Sequence, residues 1–512
     1  MGIASALCVF AHVQNLCAAP TEAELDQFLD LFIRKGFVTQ QEVDKVKAES
    51  ASMRTNNGKL YIEESKWKIG DAIKNVELFG DIRLRFEDRS VHDPAGGKID
   101  LQRLRYAARV GLRGELFDDF YYGLRVDTAA NPRSPWVSFG TSSSGAPYQG
   151  PFGKSTAGIN IGQIYLGWRP ASWVEIAAGR IPQPLYTTTM VWDGDLNPEG
   201  LAEKFKYTVG EADFFATFGQ FLYEDTNPTE TSSGYFNFAH THSSLPFLLA
   251  WQVGVDYHLT KNLSLKIAPV LYNYTGHGVN NTSGSSATPD FSGTFVGQGT
   301  TNGVSGIHAS YSSFPNGAFD GFVANQTGIN DLLVLEIPWE LNLKLEKTNF
   351  RLFGDYAKNL HGADRANAAY AAQSQPLLLD VGLDPIRSPQ THDTTAYQIG
   401  LAVGSANKLG LATGATAGKH AWELRTYWQH TEQYALDPNL IDSDFFEGRG
   451  NLEGVYTALA YGFTANTIGT IRYGYASRIN KQLGTGGSNQ DIPQMNPIDR
   501  YNLLQIDLAF KF

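Results

Sequence analysis

Read back from its end, the chain puts Phe512, Phe510, Leu508, Ile506 and Leu504 on one side, with Lys511, Ala509, Asp507, Gln505 and Leu503 on the other. A period of two is what a strand imposes, because successive side chains point to opposite faces. The same alternation opens the sheet. In 76–87, Val76, Leu78, Ile82, Leu84 and Phe86 oppose Glu77, Asp81, Arg83, Arg85 and Glu87. A second strand sets Leu104, Tyr106, Ala108, Val110 and Leu112 against Arg103, Arg105, Arg109 and Arg113. After the turn at Phe117-Asp118-Asp119, Phe120, Tyr122, Leu124 and Val126 oppose Arg125 and Asp127.

Further pairs obey this rule. Segments 160–169 and 173–180, 201–208 and 212–222, and 247–258 and 262–274 are each joined by short turns. So are 331–345 and 349–357, and 453–463 and 467–476, whereas a longer Gly/Ala-rich link joins 395–404 to 420–430. With the first and last strands the count is about sixteen, an even number. Pro269 and Pro338 interrupt two of these runs. Neither supplies an N–H, so a bulge or register adjustment is expected at both.

Loop lengths sort by parity. Even-to-odd connections are short apart from the Gly/Ala-rich one. Odd-to-even connections, apart from a modest first one near 90–100, are long and rich in Gly, Ser, Thr, Asn and Pro: 129–158, 182–199, 223–245, 275–329, 359–393, 432–450 and 477–498. A soluble sandwich has no reason to sort its loops this way, whereas a membrane barrel does, with its short turns in the periplasm. The fold expected is all-β: a transmembrane antiparallel up-and-down β-barrel over 76–512, with both termini periplasmic. Trp168, Trp173, Tyr257 and Phe512 lie near the turns, where rings favour the membrane–water boundary.

Composition agrees. No run approaches the 18–20 apolar residues of a membrane helix, and a bilayer otherwise admits only closed sheets. A net charge of -11 argues against nucleic acid as a partner. Residues 1–19 read as a signal peptide and contain both cysteines, Cys8 and Cys17. Capping patterns at Thr21/Glu24 and Thr39/Glu42 predict a periplasmic helical segment over 20–52, either self-packed or an oligomerisation element. Residues 53–75 read as a linker.

The stretches GDIRLRFE (80–87), LQRLRYAARVGLRGELFDDFYYGLRV (101–126) and IYLGWRPASWVEIAAGR (164–180) resemble the "putative porin" family of Gram-negative outer membranes. They are more distantly similar to phosphate-selective porins of the O/P type. The resemblance implies a barrel and passive diffusion of small hydrophilic solutes; it carries no ligand set residue by residue. It also implies the surroundings of such proteins: outer-membrane lipid and lipopolysaccharide, a homo-trimer, and an assembly machinery that reads the last strand at Phe512.

Candidate pore-lining residues follow from the alternation: Arg83, Arg85, Arg103, Arg105, Arg109, Arg113, Arg125, Glu336, Glu340, Asp355 and Arg425. The arginines form a cationic ladder on strands one to three, which favours anions unless the charges pair among themselves. Loop 275–329 is the candidate constriction and 129–158 the runner-up. Asp193, Asp195, Asp442, Asp444 and Glu447 fall in loops, where acids keep a surface soluble or hold divalent cations. No catalytic, metal or cofactor motif is present: G-x-S-x-G, H-E-x-x-H and a Walker sequence are all missing. His240 and His242 read as solvated. The competing picture is a plugged barrel whose surface loops bind a partner.

Overall fold

The computed structural model describes residues 72–94, 96–129, 134–140, 158–223, 247–275, 332–372, 388–405, 409–414, 418–438, 440–485, 491–492, 495 and 497–512. The signal segment, the helical segment 20–52, nearly all of the linker, the loop 275–329 and the pair His240/His242 lie outside them. The chain divides into two units, Met1–Asp71 and Ala72–Phe512, and the second holds every strand described.

That unit is one closed sheet. Its segments are β1 Glu77–His92, β2 Lys98–Glu115, β3 Phe120–Ala129, β4 Val137–Ser138, β5 Gly158–Ala171, β6 Val174–Arg180 and β7 Glu199–Val209. Then come β8 Ala212–Leu222, β9 Phe247–Thr260, β10 Leu263–Ile267, β11 Val270–Thr275, β12 Leu333–Glu336 and β13 Trp339–Lys344. The remainder are β14 Thr348–Asn359, β15 Thr395–Ser405, β16 Trp422–Thr431, β17 Leu452–Gly462, β18 Thr467–Arg478 and β19 Arg500–Lys511. Every neighbour pair is antiparallel. The ring closes where β1 meets β19, with Ile82 opposite Phe510 and His92 opposite Arg500.

These nineteen segments make sixteen spanning strands. The two-residue β4 only extends the wall beside β2, while β10 with β11, and β12 with β13, are single strands cut at proline. The cuts lie side by side: the Ala268 N–H donates to the Pro338 carbonyl at 3.1 Å, next to the Val253 N–H on the Pro269 carbonyl, also at 3.1 Å. The ladder therefore breaks at both prolines together, as their missing N–H requires.

The two faces of the wall differ as lipid demands. Leu84 is 47% exposed, while Arg85 beside it is 3% exposed. An arginine facing lipid at the bilayer midplane costs about 2–4 kcal/mol, which is why the basic set turns inward. Trp168, Trp173, Tyr257 and Phe512 are exposed close to the short turns, as a membrane boundary favours. Two glycines, Gly354 on the outer face and Gly167 on the inner one, let neighbouring rings lie flat against the wall. A Cβ on Gly354 would stand 2.7 Å from the Trp339 indole, and one on Gly167 would stand 2.0 Å from the Tyr121 ring.

The interior is partly filled by apolar packing. Loop 181–198 folds inside, burying Ile181, Leu185, Met190, Val191 and Trp192 against Phe221, Leu248, Tyr272 and Val334. Phe445 and Phe446 of loop 432–451 pack with Leu411, Ile492 and Ile498 on Val91, Tyr456 and Tyr501. Neither loop was the expected constriction. Of the runner-up 129–158, Trp136 and Val137 are among the described residues, and both are buried.

Candidate pore interior

The inner face is built by register. Opposite β1, Arg109 pairs with Asp81, Arg105 with Arg85, and Arg103 with Glu87. On its other flank Asp507 pairs with Arg85 and Gln505 with Glu87. Period two keeps all of these on one face. β1 continues past the expected end at Glu87, and so adds Arg89, which is fully buried. The result is a vertical rail of guanidiniums running from the turn end toward the long loops.

Carboxylates from three loops sit on this rail. Asp195 Oδ1 lies 3.1 Å from Arg109 Nη1 and 3.9 Å from Arg83 Nη2. Asp444 Oδ1 accepts from Arg85 Nη1 at 2.6 Å, while Arg85 Nε donates to Asp507 at 2.7 Å. Asp491 lies 2.6 Å from Arg103 Nη2 and 3.1 Å from Arg89 Nη2, and Glu447 lies 3.6 Å from Arg89 Nη1. Arg472 adds a further bond to Asp507. Three of the loop acids that the sequence suggested would solvate a surface, Asp195, Asp444 and Glu447, are thus partners of arginines on the inner wall. Separations such as 359 residues between Arg85 and Asp444 explain why no local pattern announced them.

The other predicted residues are dispersed. Arg113 pairs with Glu77 at 2.7 Å near the turn end, where both are exposed. Arg125 is held by Asp127 on its own strand at 2.7 Å. Arg425 pairs with Glu423 at 3.1 Å and lies 5.1 Å from the Phe353 ring centroid. Glu340 lies 3.4 Å from Arg351 Nε. Glu336 and Asp355 come together on the far wall, where they hold loop 181–198. Glu336 accepts from Thr187 Oγ1 and Tyr272 OH, both at 2.6 Å, and Asp355 accepts from Thr188 Oγ1.

Trp136 completes the rail side. Its ring centroid lies 4.1 Å from the Arg85 guanidinium carbon, 5.2 Å from that of Arg83 and 5.8 Å from that of Arg105. Around it is a cavity of about 270 Å³ lined by Arg83, Arg85, Arg105, Arg109, Asp195 and Asp444 among others. A second space of about 570 Å³ is lined by Arg169, Glu175, Tyr186, Lys204 and Lys266.

Neighbouring loop acids behave in opposite ways. Burial and then the charge of Asp195 push the Asp193 carboxyl up to about 7. Burial and then Asp193 push Asp442 well above the usual range. Burial alone would raise Asp444 too, but Arg85 and the other arginines around it outweigh burial and hold it far below. Asp193 joins the two loops directly: its Oδ2 accepts from Ser443 N at 3.2 Å and Ser443 Oγ at 3.1 Å.

Among the described residues, no group of three or more His, Cys, Asp or Glu is placed to hold a metal ion. No helix among them is long and apolar enough to cross a membrane. A closed sixteen-strand wall, apolar outside and lined with charge inside, is a transmembrane channel-forming barrel. Residues 95–512 match the family model described as "Putative porin", and the chain belongs to that family. It is accordingly an outer-membrane channel for small solutes, resident in the bacterial outer membrane. Family and fold are those of a channel rather than an enzyme. Comparison with curated protein sequences finds no match. Among solved structures, it is similar to an anion-selective porin from Comamonas acidovorans, with 10% identity, TM-score 0.39, and coverage of 86% of this chain and 99% of that one. It is also similar to the outer membrane channel DcaP of Acinetobacter baumannii, with 10% identity, TM-score 0.41, and coverage of 87% and 99%.

Proposed function

We propose that small hydrophilic solutes pass along the arginine rail, between the β1–β2–β19 wall and the carboxylates of the inward loops, with a preference for anions. The observation that carries this reading is the polar cavity beside Trp136, which has guanidiniums on its wall side. Selectivity then depends on inward charges and on the loops folded among them. Steady conductance in planar bilayers, with reversal potentials in a salt gradient, tests it. Changing Arg103, Arg105 and Arg109 to Glu lowers anion permeability if the rail lines the path; an unchanged reversal potential rejects the assignment.

A second reading is a plugged barrel, favoured by the apolar packing of loops 181–198 and 432–451 inside the wall. It predicts no steady current in the same bilayers. In either case we assign both termini to the periplasm, removal of residues 1–19, and a trimer in which 20–52 takes part. Phe512 is hydrogen-bonded both ways with Gly80 across the seam, which suits an end strand handled by an assembly machinery and set among lipid and lipopolysaccharide. Crosslinking of the full chain in native outer membranes, with and without 20–52, tests the trimer.

A further inference from the structure

We propose that Arg83 and Arg105 form a discrete oxyanion site inside the barrel, for a carboxylate- or phosphate-bearing solute, and that Asp195 opposes its occupation. The proposal rests on the reading that solutes reach the arginine rail, and it names which part of the rail holds them.

The upper rail gathers around the Glu87 carboxylate. Arg103 Nε donates to its Oε1 at 2.7 Å, with Arg103 Nη2 at 2.5 Å and Arg89 Nε at 3.1 Å from the same oxygen. Its Oε2 accepts from Gln505 Nε2 at 2.9 Å and from Arg89 Nη2 at 3.2 Å. A carboxylate offers about four acceptor positions; three hold hydrogen bonds, and Arg103 Nη2 and Arg89 Nε crowd the rest as ion contacts without completing hydrogen bonds. Arg105 is left outside. Its Nη1 comes no nearer than 3.7 Å to Glu87, and its Nε has no hydrogen-bond partner among the described residues although the side chain is buried.

Arg83 is in the same condition at one end. Its Nε lies 2.6 Å from Asp81, but its Nη2 has no hydrogen-bond partner among the described residues and stands 3.9 Å from Asp195. Asp195 is committed instead to Arg109 at 3.1 Å. Between the two lies Arg85, which is spent on Asp507 and Asp444. Arg105 is paired in register with Arg85, so Arg83 and Arg105 are diagonal neighbours on one face, at the about 7–8 Å spacing of such pairs. Both guanidiniums lie within 6 Å of the Trp136 ring centroid, and both line the 270 Å³ cavity.

Two buried N–H donors without a hydrogen-bond partner among the described residues, on guanidiniums whose side chains line one polar cavity, suit an anion with two or more oxygens, one oxygen to each donor. Trp136 fixes the guanidinium planes, so little side-chain freedom is lost on binding. Asp195 stands 3.9 Å from the Arg83 donor on a loop folded over the rail, and repels an incoming anion.

The test is isothermal titration of the full-length protein in detergent with sodium acetate in one arm and inorganic phosphate in the other. Saturable binding is expected in at least one arm, which identifies the source chemistry. Arg105→Gln weakens it at least tenfold, Arg105→Lys recovers part of the loss, and Asp195→Asn tightens binding severalfold. Heat-modifiable gel mobility checks that each variant retains its barrel. Absence of binding in both arms, an unchanged affinity in Arg105→Gln, or weaker binding in Asp195→Asn overturns the proposal. Conductance is read separately. Binding without current keeps the site and removes the transport reading, and anion-selective current without saturable binding does the reverse.

Discussion

Two walls of the same barrel hold loop 181–198 by different physics. On the far wall, Trp192 of loop 181–198 is buried against Phe221 and Tyr272, with ring centroids 6.2 and 6.3 Å away. Three residues on, Asp195 is held on the opposite side by Arg109 and Arg83. Apolar packing is insensitive to salt and pH, whereas ion pairs are screened by one and titrated by the other. The loop is therefore fixed firmly at one end and conditionally at the other. The exterior shows none of this, since lipid asks the same of every strand.

The largest expected effect comes from breaking the apolar side. Trp192→Ala removes a buried ring and costs about 3–5 kcal/mol of packing. Loop 181–198 then becomes open to protease in detergent while gel mobility still reports a closed barrel; a loop that stays resistant contradicts the apolar anchor. On the rail side, Asp444→Asn leaves Asp507 as the carboxylate hydrogen-bonded to Arg85, with Glu87 3.8 Å away, at a cost of about 1–3 kcal/mol. The temperature at which the barrel band shifts on gels should fall, and an unmoved transition would mean that Asp444 holds nothing.

The next effect is one of pH, and its sign differs between adjacent acids. Asp193 is raised from 3.8 to about 7, so its contribution is complete below about pH 4 and is lost as pH rises through about 7. Asp444 is lowered, so its bond to Arg85 persists above the ordinary carboxylate range and fails only in strong acid. Hydrogen exchange across loop 181–198 should quicken beyond its intrinsic base dependence between about pH 4 and 7; a rate that follows only the intrinsic dependence would contradict the coupling. The smallest effect belongs to the exposed pair Arg113–Glu77. Arg113→Gln should leave the thermal transition where it was, because solvent screens such pairs.

The wall was legible because the bilayer enforces period two on every spanning strand. Pro269 and Pro338 were legible for an equally local reason, the absence of an N–H. Arg89 was missed because its neighbours Asp88, Ser90 and His92 are polar on the outward side, so the alternation that marks a lipid-facing strand stops at Phe86 while the hydrogen-bonded strand runs to His92. Asp195, Asp444 and Asp491 were beyond reach for a different reason. An acid in a loop looks the same whether it meets water or a guanidinium, and the choice depends on how the loop folds. The alternation also could not reveal that Ala357 and Ala396 face inward as seats for an apolar loop, since a small residue satisfies either side of the sheet.

The glycines under Trp339 and Tyr121 bear on how such a wall is assembled. Each ring occupies the place that any other residue's Cβ would fill on the neighbouring strand. A strand that slid along its partner by two positions would keep its greasy side outward yet drive the indole into a side chain. In a sheet whose two-residue repeat leaves slipped pairings nearly degenerate, these tooth-and-notch contacts act as proofreading marks, so that only one alignment lets the first and last strands meet.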